Sequence, residues 1–155
     1  MHLPARLKPI FCTTLLLVVL ACAKAGAATS LEGVWKEVDD EATTSVLRME
    51  PSGAGWTGKY VQVSAQQAEV GFRVGEAIIR GRLEGTAFTG QVLLKNADAD
   101  PACPQVGVGW VPVKMTLVRK GQRLHGSFLG TLVQDDDACR KTGTYWHPYR
   151  LERAP

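Results

Sequence analysis

The stretch Leu31-Glu32-Gly33-Val34-Trp35 carries the pattern that decides the fold of this chain, a glycine with an apolar residue two positions away on each side. In a β-strand, positions i, i+2 and i+4 point to one face, so all three residues share a face. Glycine inside a strand marks a sharp bend or a close approach of two backbones. The same pattern recurs at Trp56–Tyr60, Ile79–Leu83, Phe88–Val92 and Leu124–Phe128.

Strands bent toward their own apolar face indicate a small closed barrel. The chain beyond residue 27 alternates apolar and polar residues over most of its length, which is typical of half-buried strands. Only Ser64–Glu69 has helical propensity, and it is too short to be stable alone. Residues 70–75 are predicted as a short extra strand or an early start of the fourth strand. The predicted strands span about residues 31–38, 44–50, 55–63, 76–83, 87–95, 112–119, 123–133 and 144–153.

The connections between these strands are of two kinds. Short glycine-containing turns are predicted at 51–55, 84–87 and 120–122, and they have the composition of tight hairpins. Longer polar connections alternate with them. In an up-and-down meander, alternate connections lie at the same end. We therefore predict an all-β, eight-stranded antiparallel up-and-down β-barrel with one end closed by short turns and a mouth formed by long loops.

The first 27 residues are typical of a secretory signal. A basic start precedes the apolar run Ile10–Ala21, which is shorter than the ~20 apolar residues that a membrane-spanning helix needs. Small residues favour cleavage near Ala27, which leaves 28–155 as a single barrel domain. The alternative is a lipoprotein signal that ends before a lipidated Cys22. Both predict an exported protein, periplasmic or extracellular, and the second adds a lipid anchor.

The charge of the predicted mature domain is close to zero. The chain has 18 Lys and Arg against 15 Asp and Glu, and three of the basic residues, Arg6, Lys8 and Lys24, precede residue 28. The mature domain therefore has no excess of basic residues, which argues against nucleic-acid binding. Contact with a membrane is expected only through lipidation of Cys22.

Two cysteines remain in the predicted mature chain. Cys103 lies in the connection between strands five and six and Cys139 in that between seven and eight, so both fall at the mouth. In an oxidising compartment, such a pair most simply forms a disulfide. A bridge closing a loop of this length stabilises by ~3–4 kcal/mol in the chain-entropy account. The alternative is two free thiols.

The Gly33-Val34-Trp35 strand resembles the start of the calycins, the superfamily of lipocalins, fatty-acid-binding proteins and avidins. The resemblance implies that a basic residue of the last strand, Arg150 or Arg153, packs beside Trp35 at the closed end. The start is also similar to avidin. The polar residues that an avidin places around biotin have no clear counterparts here, so the resemblance implies a shape and not biotin binding. An ordinary core tryptophan of another β-barrel or sandwich is the alternative.

The inner faces of strands three and eight supply the candidate ligand-binding residues. If Leu151 points inward, every second residue before it does so too, and these residues are aromatic or polar. A buried polar group without a partner costs ~1–3 kcal/mol, and a ligand could supply the partner. The alternative is that these groups pair with one another or with water. The predicted ligand-binding residues are Trp56, Tyr60, Gln62, Tyr145, His147 and Tyr149.

Acidic residues are concentrated in the predicted mouth loops. They could face a basic partner, steer a cationic ligand or bind Ca²⁺ through oxygen atoms, and solvated turn residues are the alternative. No metal site or cofactor is assigned. The residues are Asp39–Glu41, Glu69, Asp98, Asp100 and Asp135–Asp137.

The sequence has no serine nucleophile elbow, phosphate-binding loop or His-x-x-x-His metal motif. We therefore expect a protein that is not an enzyme: an exported barrel that holds a small, mostly apolar molecule. The alternative is an interaction or inhibitor protein that binds an envelope or extracellular protein through its acidic rim.

Overall fold

A computed structural model describes residues 30–38, 44–95, 107–133 and 139–155. Each strand pairs antiparallel with the next in the chain, and the last strand pairs with the first, which closes a barrel of eight strands. The predicted all-β up-and-down barrel is confirmed. The elements are β1 Gly33–Glu37, β2 Val46–Ser52, β3 Gly55–Gln62, α1 Ala65–Glu69, β4 Ala77–Glu84, β5 Ala87–Leu94, β6 Gly109–Val118, a 3₁₀ turn Arg119–Gly121, β7 Arg123–Val133 and β8 Lys141–Arg153.

The short connections and the long ones lie at opposite ends of the barrel, as predicted. The tight links β2–β3, β4–β5 and β6–β7 meet at one end, which we call the closed end. The long links β1–β2, β3–β4, β5–β6 and β7–β8 meet at the other, which we call the mouth. Strand β8 therefore begins at the mouth and ends at the closed end, and β3 runs the opposite way.

Residues 70–75 form neither an extra strand nor the start of β4, so that prediction was wrong. Gly71 and Gly75 have φ of 96° and 86°, which is turn backbone and ends any extended run. The segment before them forms α1, because the Ser64 hydroxyl accepts a hydrogen bond from the Gln67 N–H (3.2 Å) and caps the first turn. Phe72 then packs, buried, at the edge of the Tyr60 ring.

Glycines allow the strands to approach closely where the barrel wall bends. Gly81 and Gly90 are direct cross-strand partners in β4 and β5. A Cβ at Gly90 would fall on the carbonyl oxygen of Arg80, and a Cβ at Gly126 on that of Lys114. No side chain fits at either position, so these glycines have the close backbone approach that the repeated sequence pattern predicts.

The lumen contains a packed apolar core that extends from the closed end to the mouth ends of β3, β4 and β5. Its members come mainly from alternate strand positions, and each is at most 5% exposed. This packing is the main source of barrel stability. The most completely buried side chains include Trp35, Leu47, Met49, Ile79, Phe88, Leu124 and Leu151.

Arg153 covers the closed end. Its guanidinium lies 4.5 Å from the centre of the Trp35 ring. Its nitrogens donate to three main-chain carbonyls: Nε to Gly121 (2.8 Å), Nη1 to Glu32 (2.7 Å) and Nη2 to Ser30 (2.6 Å). The expectation that Arg150 or Arg153 packs beside Trp35 is confirmed for Arg153.

Several sequence predictions concern residues outside those described. They include the signal segment 1–27 with Cys22, the acidic residues of the mouth loops other than Glu69, and Cys103. The Cys103–Cys139 bridge therefore stays a prediction, with Cys139 placed just before β8 on the mouth side. Across the described ranges, no helix is both long enough and apolar enough to cross a membrane.

The glycine geometry gives a stability prediction. Gly126→Ala should lower the free energy of unfolding by about 3 kcal/mol, because the new methyl group must displace the backbone of β6. Gly143→Ala is the matched control: it lies inside β8, and its Cβ would meet only Leu132 Cδ1, at 3.5 Å. This change should stay within about 0.5 kcal/mol of the unsubstituted protein. Urea denaturation measures the free energy of unfolding of both variants. Equal losses of stability in the two would contradict the role given to close backbone approach at Gly126.

Candidate functional site

The inner face of β8 shows where the packed core ends. Leu151 is fully buried, and Tyr149, two residues closer to the mouth, is half-buried. His147 and Tyr145 continue the same face, yet His147 is exposed and Tyr145 is 42% exposed. Tyr145 and His147 therefore continue the face of Leu151 beyond the described β1–β8 ladder, which ends at Leu151, and there they contact solvent.

Four aromatic side chains lie together on this face of β7 and β8, toward the mouth, and we call them the aromatic wall: Phe128, Tyr145, His147 and Tyr149. Phe128 on β7 lies 5.0 Å from the His147 ring and 6.0 Å from the Tyr149 ring, centre to centre. The Tyr145 and His147 rings meet edge to face at 6.2 Å. Such tilted and edge-to-face contacts hold the rings in fixed orientations.

The aromatic wall depends on a glycine opposite Tyr145. Gly130 is the direct cross-strand partner of Tyr145, and a Cβ at Gly130 would lie 2.6 Å from Tyr145 Cζ. The tyrosine ring therefore lies across the glycine backbone, against the wall of the barrel. A larger residue at this position would push the ring away from the wall and toward the lumen.

A carboxylate lies at the base of the aromatic wall. Glu37 Oε1 accepts a hydrogen bond from the Tyr149 hydroxyl at 2.7 Å. The Tyr60 hydroxyl lies 3.1 Å from Oε1 and 3.0 Å from Oε2. We call Glu37, Tyr60 and Tyr149 the floor cluster. The floor cluster joins three strands, because Glu37 lies on β1, Tyr60 on β3 and Tyr149 on β8. Glu37 also pairs with Leu151 across the closing ladder of the barrel.

The floor cluster is connected to the β3–β4 loop by further hydrogen bonds. The buried Ser45 hydroxyl bonds to the Tyr60 oxygen, and Ser45 Oγ accepts the N–H of Ser64 at 3.0 Å. Ser64 thus donates to Ser45, Ser45 to Tyr60 and Tyr60 to Glu37. The protons of these three hydrogen bonds all point toward Glu37. Hydrogen bonds aligned in this way polarise one another and fix the hydroxyl orientations.

Both tyrosines of the floor cluster stay protonated over the ordinary pH range. Burial, followed by the nearby Glu37 carboxylate, raises the pKa of Tyr60 far above the usual value of about 10. The same two causes, with Tyr60 itself as a third, raise the pKa of Tyr149 well above that value. Protonated phenols can donate to a carboxylate, which agrees with the hydrogen bonds seen.

These raised pKa values predict an alkaline loss of stability. The unfolded chain releases the two phenol protons above a pH of about 10, while the folded protein retains them. The free energy of unfolding should therefore be unaffected by these groups below that pH. Above it, the free energy should fall by about 1.4 kcal/mol per pH unit for each tyrosine.

The Tyr149→Phe variant isolates this effect. Above a pH of about 10, its free energy of unfolding should fall less steeply than that of the unsubstituted protein, by up to about 1.4 kcal/mol per pH unit. Trp146→Phe, which changes an exposed residue on the outer face of the same strand, should leave the slope unchanged. Denaturant titrations at several pH values measure these slopes. Identical slopes for Tyr149→Phe and the unsubstituted protein would rule out a raised pKa at Tyr149.

Four of the six predicted ligand-binding residues meet at the mouth: Tyr60, Tyr145, His147 and Tyr149. Gln62 does not, and its predicted inward orientation was wrong. A β-bulge changes the β2–β3 register, so that Leu47 pairs with Tyr60 but Val46 pairs with Gln62. Directly opposed residues share a face, and Gln62 therefore lies on the outer face with Val46, where it is exposed.

Trp56 is on the inner face but is separated from the other predicted residues. It lies at the start of β3, next to the tight β2–β3 turn at the closed end, and packs against the apolar core. Sequence reasoning also did not assign Glu37 to the site. The available signal was its position two residues after Trp35, which places a carboxylate on the inner face of β1.

The acidic rim is represented among the described residues by Glu69, which is exposed at the end of α1. The other predicted acidic residues of the mouth loops lie outside the described ranges. Within those ranges, no group of three or more His, Cys, Asp or Glu side chains is arranged to hold a metal ion.

No protein-family model matches this chain, and no curated protein or solved structure is significantly similar to it. The resemblance to calycins therefore stays a prediction, carried by Gly33, Trp35 and the arginine that covers the tryptophan.

Proposed function

We propose that this protein is an exported, non-enzymatic binding barrel of calycin-like architecture, which holds a small, mostly apolar molecule in the mouth half of its lumen. The observation that carries the proposal is the exposure of lumen-facing aromatic residues. His147 and Tyr145 are exposed although they continue the face of the fully buried Leu151. An eight-stranded barrel is wide enough for one small ligand where its side chains do not fill it.

The aromatic wall supplies the apolar surface for such a ligand. Covering exposed apolar area contributes about 25 cal/mol per Å², and planar groups gain further from stacking against aromatic rings. The rings of Phe128, Tyr145 and His147 contact one another, so they are held in place before a ligand arrives. A binding surface that is already ordered loses less conformational entropy on binding.

The floor cluster adds a few convergent polar groups beneath this apolar surface. That combination, mostly apolar with a few fixed polar atoms, is typical of small-molecule sites. A role in binding also agrees with the protonation state of the tyrosines. Because their pKa values lie far above neutrality, neither Tyr60 nor Tyr149 is a base that could take a proton from a substrate near pH 7.

Export and the disulfide belong to the same proposal. The apolar run that ends at Ala21 supports secretion, and secretion supports oxidation of Cys103 and Cys139. Cys139 lies at the mouth, so a bridge to Cys103 would hold two mouth loops together beside the proposed ligand site. Cleavage near Ala27 gives a free barrel, and lipidation of Cys22 gives the same barrel on a membrane anchor.

A neutral, environment-sensitive dye tests the proposal. N-phenyl-1-naphthylamine should bind with a rise in fluorescence, and Phe128→Ala should weaken its binding by about tenfold because a ring of the aromatic wall is lost. Leu129→Ala is the matched control, since it changes the next residue of β7, which faces outward opposite Trp146. That change should alter affinity by less than about twofold.

Circular dichroism and thermal melting establish that both variants are folded. The proposal fails if the dye does not bind. It also fails if the Leu129 variant loses the dye while the Phe128 variant keeps it, because the binding surface would then be on the outside of the barrel.

A further inference from the structure

We infer that the outer surface of strands β4 to β8 binds an acidic polysaccharide, a chain of sugar units that carry carboxylates. The inference concerns the outside of the barrel and is independent of the proposed binding at the aromatic wall. It comes from cations that have no carboxylate partner among the described residues and from the tryptophans beside them. We call this surface the outer basic face, and its members are Arg80, Arg82, Trp110, Lys114 and Trp146.

The three cations of the outer basic face lie on adjacent strands. Arg80 and Arg82 are two residues apart on β4, so their side chains point to the same face. Arg82 pairs with Thr89 on β5, and Thr89 pairs with Lys114 on β6. Because neighbouring strands lie ~4.8 Å apart, the Cα atoms of the three cations fall within ~12 Å of one another. All three side chains are exposed, so their positive charge is concentrated on one patch of surface.

Arg80 is held in one orientation, and one edge of its guanidinium has no partner among the described residues. Its Nε and Nη2 donate to Gln91 Oε1, at 3.1 Å and 2.8 Å. Its guanidinium carbon lies 4.2 Å from the centre of the Trp110 ring. These contacts use the Nε–Nη2 edge of a group that has five N–H donors. The other edge, formed by Nη1 and Nη2, presents the pair of parallel N–H groups that binds a carboxylate.

The charge of these cations is not balanced by the acidic residues nearby. Lys59, on the outer surface of β3, is bound to Glu50 at 3.2 Å. Among the described residues, no carboxylate makes such a pair with any of the three cations. Glu84 continues the same face of β4 but lies at its closed end, beyond Arg82. An anion from outside the protein therefore supplies the complementary charge.

The tryptophans repeat one combination across this surface. Lys114 Nζ lies 5.5 Å from the centre of the Trp146 ring, and Trp146 is 47% exposed. Arg80 and Trp110 form the same combination of a cation and an apolar ring, and the two combinations meet at β6. A ligand that repeats an apolar face and an anion matches them both. The sugar units of an acidic polysaccharide have this form, since each carries a C–H face that packs on an aromatic ring and a carboxylate that pairs with a cation.

Neutral polar groups between the cations favour a sugar over a nucleic acid. The Thr89 hydroxyl lies between Arg82 and Lys114, and the Gln91 amide nitrogen adds two N–H donors beside Arg80. Such groups match the hydroxyls of a polysaccharide. Binding of nucleic acid depends instead on an overall excess of basic residues, which the predicted mature domain does not have.

Two matched oligosaccharides test the inference by isothermal titration calorimetry. One is a hexamer of α-1,4-linked galacturonic acid, and the other is the same hexamer with every carboxylate converted to its methyl ester. At about 0.1 M salt, the acidic hexamer should bind at least about tenfold more tightly than the ester. An oligothymidylate of equal length should bind more weakly than the acidic hexamer.

The Arg80→Gln variant removes the guanidinium donors. It should weaken binding of the acidic hexamer by about tenfold and change binding of the ester by less than about twofold. Arg48→Gln is the matched control, because it removes the same charge from an exposed side chain of β2, four strands away from β6 on the opposite side of the barrel. It should keep the affinity for the acidic hexamer within about twofold.

Trp146→Ala examines the aromatic contribution separately. Loss of the ring should weaken both hexamers by a similar factor, about fivefold, because packing of a sugar on the ring does not depend on the carboxylate. Circular dichroism establishes that the variants are folded.

Several results would overturn the inference. They are equal affinity for the acid and the ester, no binding of the acidic hexamer at about 5 mM, or tighter binding of the oligothymidylate. Equal losses in Arg80→Gln and Arg48→Gln would also overturn it, because the effect would then come from net charge. The probe series in the unsubstituted protein decides the question even if Arg80→Gln does not fold.

Discussion

The pairing of β1 with β8 is the constraint on which the rest of this structure depends. Strand β1 has only five residues, and its ladder with β8 places Trp35 opposite Arg153 and Glu37 opposite Leu151. The first pair closes one end of the barrel, and the second brings Glu37 to the Tyr149 hydroxyl, 112 residues later in the chain. The same ladder therefore stabilises the closed end and builds the floor of the mouth.

This arrangement divides the lumen into two halves with different chemistry. Toward the closed end, large apolar side chains fill the space, and close approach at Gly90 and Gly126 keeps the wall tight. Toward the mouth, Gly130 leaves room for the ring of its cross-strand partner, Tyr145, to lie against the barrel wall. Apolar packing therefore reaches the floor cluster, and the exposed aromatic rings of β7 and β8 lie beyond it. The proposed binding function depends on this change along the barrel.

The sequence predicts the barrel well because strand periodicity and turn glycines are local signals. Strand order and the two kinds of ends follow from them, whereas the arginine over Trp35 was implied by the resemblance to calycins. The site is harder to predict, because it depends on register between strands distant in the chain. A single bulge moves Gln62 to the outer face, and strand direction takes Trp56 to the closed end. Glu37 becomes a site residue only once β3 and β8 bring their tyrosines to it.

We propose that a small apolar molecule binds to the aromatic wall, on the mouth side of the β1–β8 ladder. A crystal structure of the protein grown with N-phenyl-1-naphthylamine tests this most directly. We expect the naphthyl group in contact with the Phe128 and His147 rings. A dye bound on the outer face of the barrel would contradict the proposal.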